Sequence, residues 1–175
     1  MSEAMDNMLT RRSVRKYKED MVPKETIEQI MNAGIYAANG MGKQASIIVA
    51  VTNKEIRDRL STDNCKIGGW KKGFDPFYGA PVVLIVLADK SWANRVYDGS
   101  CVMENLMLAA QDFGIGSCWI HRAKEEFEMP EWKEWLKSIG VEGEYEGIGH
   151  CILGYSDGDE PKAAKRKAER TYFVE

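Results

Sequence analysis

The chain has 175 residues, 44% of them hydrophobic and 29% charged, which suits one compact domain with a sizeable core and excludes a disordered chain. The formal net charge is -3, from 24 Lys plus Arg against 27 Asp plus Glu, so no nucleic acid is expected as a partner and any anion site must be local. The longest apolar run, Ala80 to Ala88, is far short of the about 18 residues that would suggest a membrane span, and no membrane is expected as a partner.

The first residues, Met1 to Asp6, carry acids and lack the basic start and apolar core of a secretory signal. Met5, Met8 and Leu9 have helical spacing and lead into a cluster of arginines. Pro23 stands where a helix can start, and Ile27, Ile30, Met31 and Gly34 continue it at the i, i+3, i+4, i+7 spacing. Asn39-Gly40-Met41-Gly42 breaks that helix. Ala45 to Thr52 reads as a buried strand, and Asn53 can cap a short helix ending near Leu60.

Residues Ser61 to Gly79 read as a long irregular loop, with glycines among Trp70, Phe74, Phe77 and Tyr78; loops of this length are often lids or binding loops. Ala80 to Ala88 is the second strand. A helix is expected from about Tyr97 to Phe113, with Gly114 ending it. Ser117 to Ile120 is the third strand, Pro130 opens another helix through Trp132, Trp135, Leu136 and Ile139, and Gly147 to Gly154 is the fourth strand. The order is mixed helix and strand, without a repeat or a clear domain boundary, so residues 1–175 are expected to form a single domain.

Three groups could carry chemistry. Arg11, Arg12 and Arg15, with Ser13 among them, can hold a phosphate by charge-assisted hydrogen bonds, although such clusters are more often solvated turns. The tail holds a second basic group that includes Lys165 and Arg166. Gly114-Ile115-Gly116 joins a helix to a strand, and is neither a dinucleotide fingerprint nor a P-loop. His121 and His150, the only histidines, flank predicted strands without metal-ligand spacing. Cys118 and His121, three residues apart, fall on opposite strand faces, which argues against a cysteine–histidine dyad. Cys65, Cys101, Cys118 and Cys151 are scattered and contain no CxxC pair, so reduced thiols and a cytoplasmic location are expected.

Taken in order, these segments resemble the nitroreductase family. Arg11-Arg12-Ser13-Val14-Arg15-Lys16-Tyr17 is similar to its opening RRSxRxF/Y motif, and Ala38 to Gln44 to its second flavin loop. Gly79 to Ile85 resembles its central strand, and Asp98 to Ala110 its long core helix. Gly114-Ile115-Gly116-Ser117-Cys118-Trp119-Ile120 matches its GLGSCWI stretch, and Gly154-Tyr155 followed by the basic tail fits its C-terminus.

The resemblance implies an α+β fold, with a central mixed or antiparallel sheet wrapped by helices, in an intertwined homodimer with FMN at the interface. It implies that Arg11, Arg12, Ser13 and Arg15 contact the FMN phosphate, ribityl chain and ring edge, with Lys165 and Arg166 completing the phosphate site. Asn39, Met41 and Gln44 would lie against the ring from the partner subunit, and Trp119, Ile120 and His121 would offer backbone N–H to flavin N5 or polar contact beside the ring. NADH or NADPH would be the electron donor and a small molecule, such as a nitroaromatic or quinone, the acceptor. Ping-pong kinetics would follow, with no essential side-chain acid or base.

The chain departs from the family pattern at Gly42, where Asn is usual, and at Ala45 and Ser46, which replace a common Trp and a His or Lys. Both changes trim the pocket wall. Another flavin reaction on the same fold, such as ene reduction or dehalogenation, stays open, as does a flavin carrier or redox sensor without turnover.

Overall fold

The structure, a computed structural model, describes residues 2–158 and 161–175. Helix α1 (Glu3–Thr10) is capped by Ser2, and α2 (Lys24–Ile35) begins directly after Pro23. Strand β1 (Ser46–Val51) leads into α3 (Lys54–Ile67), whose first turn is capped by the Asn53 side chain accepting from the Ile56 N–H. Strand β2 (Val82–Asp89), helix α4 (Arg95–Asp112) and strand β3 (Gly116–Ile120) follow, then α5 (Ala123–Glu126), α6 (Pro130–Ser138) and β4 (Tyr145–Gly154). Gly114, at φ +68, turns the chain out of α4 as expected.

Most boundaries fall within two residues of expectation, and two boundaries bear on the site. The third helix runs to Ile67 rather than ending near Leu60, so the irregular segment shortens to about 68–79. Its second half lacks an apolar stripe because the buried face carries Ser61, Asn64 and Cys65, held by hydrogen bonds rather than by apolar packing alone. The last strand begins at Tyr145, two residues before Gly147, and pairs with the end of β2 across a bulge at Val86 and Leu87.

The four strands form one sheet, antiparallel throughout, in the order β1-β2-β4-β3. Every residue of β2 from Val82 to Ala88 is fully buried, because helices cover both faces of a central strand. Val83, Ile85 and Leu87 point into a core with Phe77, Trp132 and Phe127, whereas Val82, Leu84 and Val86 point into one with Ile30, Met103 and Leu106. Helices α2 and α4 therefore lie on one face, and α3, α5 and α6 on the other. No helix of the described residues is long and apolar enough to cross a membrane.

Candidate functional site

The arginine cluster follows α1 and is laid along the outer edge of β3. The Val14 N–H donates to the Ser117 carbonyl at 2.9 Å, and Ser13 bridges Ser117 in parallel. Tyr17 then bridges Ser156, and the Lys18 N–H donates to the Tyr155 carbonyl. The arginines are thus mounted on a segment fastened at one end to β3 and at the other to the residues that follow β4.

Within that segment the guanidiniums differ. Arg12 donates to the carbonyls of Leu9 and Arg11, closing the end of α1. Arg11 is mostly buried; its Nε approaches a half-exposed Glu104 carboxylate at 3.7 Å, and its Nη1 is buried with no acceptor among the described residues. Among the described residues Arg15 makes only a long contact, 3.5 Å, to the Ser13 carbonyl. Burial pushes the Cys118 thiol up, while the charges of Arg15 and Arg11 and the Ser13 hydroxyl draw it partly back. A buried guanidinium N–H without an acceptor is a costly group, and an anion is the partner its chemistry fits.

At the far end of β3, a cavity of about 710 Å³ is lined by Trp119, His121, Arg122, Lys124, Glu146 and Ile148 among others. The Trp119 ring lies against Gly149, where a Cβ would stand 2.4 Å from its Nε1, and that N–H is buried without an acceptor. Trp119 and His121 share a side of the strand, with ring centroids 5.9 Å apart, while Ile120 points into the opposite core. Burial raises the pKa of Glu146, but hydrogen bonds from Arg95 and Lys124 more than offset it and hold the carboxyl below its usual range. Arg122 adopts the left-handed conformation, φ +80 and ψ 1, which costs a side-chain-bearing residue on the order of 1–2 kcal/mol.

The structure thus brings Arg11, Arg12, Ser13 and Arg15 to the same strand as Trp119, Ile120 and His121. It does not bring the Asn39–Gln44 loop there. That loop precedes β1, the opposite edge strand, and Asn39 Oδ1 accepts from the Gln44 N–H at 3.0 Å to close it. Gly40 is tied to Asp98 at the start of α4, and Met41, at φ +54, is 85% exposed. Three strand spacings, roughly 14 Å, separate the two edges. Lys165 and Arg166 are exposed in a tail without regular structure, and no ion pair or hydrogen bond among the described residues ties them to Arg11–Arg15.

Sequence reasoning missed several polar residues around this region. His150 lies within β4, as the predicted span Gly147 to Gly154 implies, and is fully buried, with its Nε2 2.8 Å from the equally buried Glu126 of α5. Asn64, fully buried on α3, donates to the His121 carbonyl. Neither pair has a spacing signal, since each joins residues distant in the chain. Arg57 and Asp75 form another such pair at 2.5 Å, and Asp75 also accepts from Ser61, Phe77 and Gly79, fixing the 68–79 segment.

A family model described as Nitroreductase family matches residues 8–66 and 68–155. A crystal structure of a nitroreductase with bound FMN from Bacteroides fragilis superimposes with a TM-score of 0.88 at 29% identity, covering all of both chains. One with bound FMN from Desulfitobacterium hafniense reaches 0.87 at 24% identity, over 99% of this chain and all of its own, a likeness of fold. Among curated relatives, a protein of Methanothermobacter thermautotrophicus is 29% identical over 121 residues, 67% of this chain but 60% of the relative. An FMN reductase [NAD(P)H] of Bacillus subtilis is 25% identical over 123 residues, 66% of this chain and 47% of its own length.

Proposed function

This chain belongs to the nitroreductase family, and we propose that it is an FMN-dependent oxidoreductase using NADH or NADPH to reduce a small acceptor such as a nitroaromatic or quinone. The observation that carries this reading is the buried, unpartnered Arg11 Nη1 in a cluster pinned to β3 beside Trp119–His121. Arg11, Ser13 and Arg15 hold the FMN phosphate and adjoining chain, and the guanidinium of Arg12 braces the turn from α1. Trp119, Ile120 and His121 border the ring, with a backbone N–H of this segment or of the residue that follows it as the donor to its reacting edge.

Bound FMN supplies a two-electron carrier between the nicotinamide and the acceptor. The arginines place fixed positive charge at one edge, which favours the negative charge that develops there on reduction. No side-chain acid is required, because protons can come from water. Donor and acceptor then use one site in turn, so initial-rate plots at several donor concentrations are expected to be parallel; intersecting lines would count against a shared site.

The other half of the site comes from a second copy. Asn39, Met41 and Gln44 stand at the opposite sheet edge from Arg11–Arg15, with the sheet between them, which favours the two groups serving different sites. Exposed apolar side chains support that assembly: Met5, Met8 and Leu9 on α1, and Ile35 and Tyr36 at the end of α2. Lys165 and Arg166 complete the phosphate site in the assembled homodimer. Residues 1–175 act as a single domain, and the four free cysteines suit a reducing cytoplasm.

The absorption spectrum of the purified protein tests the reading, followed by anaerobic reduction with each nicotinamide. Flavin absorbance bleached by NADH or NADPH is expected. A colourless protein that gains no flavin absorbance with added FMN would overturn it, and a flavin reduced by neither donor would leave a carrier.

A further inference from the structure

Two buried polar contacts converge on the segment that follows β3. Asn64 is fully buried on α3; its Nδ2 donates to the His121 carbonyl at 2.8 Å, while its Oδ1 has no partner. Glu126 at the end of α5 and His150 on β4, both fully buried, stand 2.8 Å apart, a close approach whose angles fall outside hydrogen-bond geometry. Gly147 lets α5 approach so closely that a Cβ there would stand 2.1 Å from the Ala123 carbonyl oxygen. Packing alone would be better served at position 64 by an apolar side chain, because an amide with half its capacity unmet is costly to bury.

The His121 carbonyl and the Arg122 N–H belong to one peptide group. That peptide is trans, so the two point in opposite directions. With the carbonyl drawn inward to Asn64, the N–H is turned away from the core, on the side of the cavity lined by Trp119, His121 and Arg122. Among the described residues no acceptor takes it. The left-handed backbone at Arg122 is held in place by these anchors on either side.

Resting on the FMN reading above, we infer that Asn64 is a positioning residue that fixes the Arg122 N–H as the hydrogen-bond donor to flavin N5. The close packing of α5 on Gly147, with Glu126 beside His150, limits how far the following turn can shift. Asn64 touches neither flavin nor substrate; it acts through the peptide it grips.

The test compares FMN with 5-deaza-FMN, which carries C–H in place of N5 and cannot accept there. Wild-type protein is expected to bind FMN about three- to tenfold more tightly than the deaza compound, the worth of one ordinary hydrogen bond. Asn64→Leu is expected to abolish that preference by weakening FMN alone. Equal weakening of both ligands would make Asn64 merely structural, and an unchanged preference would refute the inference outright. A second measurement needs no variant. In wild-type protein labelled with [15N]arginine, the Arg122 amide proton is expected to move downfield on binding FMN and not on binding 5-deaza-FMN; identical shifts would overturn the proposal. If the wild type binds neither compound, the FMN reading itself falls, and this inference with it.

Discussion

Replacing Arg11 with methionine is expected to separate cofactor grip from fold stability. In the protein alone, Arg11 Nη1 is buried without an acceptor, and the Nε contact to Glu104 is long, at 3.7 Å, and half-exposed on the carboxylate side. A pair of that kind contributes at most about 1 kcal/mol. Leaving an N–H buried without a partner costs about 1–3 kcal/mol. Methionine keeps most of the length and removes both effects, so apo Arg11→Met is expected to melt at the wild-type temperature or a few degrees above it, since 1 kcal/mol moves Tm by about 2–4 °C in a domain of this size. FMN binding moves the other way. A charge-assisted hydrogen bond to phosphate is worth about 1.5–3 kcal/mol, so affinity falls by about ten- to 150-fold. Riboflavin lacks the phosphate and should be nearly unaffected. Titration of flavin fluorescence, with thermal melts of the apoprotein, reads both quantities. Equal losses for FMN and riboflavin, or an apoprotein destabilised by more than about 1 kcal/mol, would refute the phosphate role.

Three further outcomes are expected. For Asp75, burial alone would raise the carboxyl pKa, but hydrogen bonds from Arg57 and Ser61 and the Arg57 charge hold it below the usual value. Its contribution is therefore present above the unfolded pKa, about 3.9, and lost as pH falls through the lower folded value. Asp75→Asn should destabilise by about 1–3 kcal/mol at pH 7 in chemical denaturation, with the gap to wild type closing below about pH 4; a gap independent of pH would show that its charge is not what matters. Gly147→Ala forces its Cβ against the Ala123 carbonyl and should cost about 1–3 kcal/mol in urea unfolding; a neutral effect would show that α5 can shift freely. Leu9→Asp combined with Tyr36→Asp places charge on two exposed apolar positions and should give a monomer by sedimentation velocity that has lost FMN, with unchanged far-UV circular dichroism. A monomer that retains FMN at wild-type affinity would refute a site shared between subunits.

What could be read from the sequence depended on whether burial was apolar. Strand β2 was legible because Val82 to Ala88 is buried on both faces and therefore reads as an unbroken apolar run. Helix α4 and its Gly114 terminus followed from periodicity and a turn residue. The second half of α3 was not legible, since Ser61 and Asn64 give its hidden face the appearance of a surface. The arginine motif was visible as residues, but its support was not: Val14 lies on Ser117 through backbone bonds, which any side chain permits. The left-handed Arg122 had no signal either, because Arg is an uncommon occupant of that conformation and nothing in the local sequence demands it. Opposite placement of Asn39–Gln44 and Arg11–Arg15 needed the strand order, which a list of elements does not contain.

The lacing of residues 13–18 to Ser117, Tyr155 and Ser156 has a consequence for how the protein comes into being. The arginines are made well before the backbone they lie on, Ser117 by about a hundred residues and Tyr155 and Ser156 by about 140. Until the chain beyond Tyr155 has emerged, the motif has no edge to rest against and its guanidiniums are ordinary solvated charges. Cofactor capture is thereby deferred until β4 has been made, and a chain cut short before that strand would pass through the cell without taking up a redox group it could not contain.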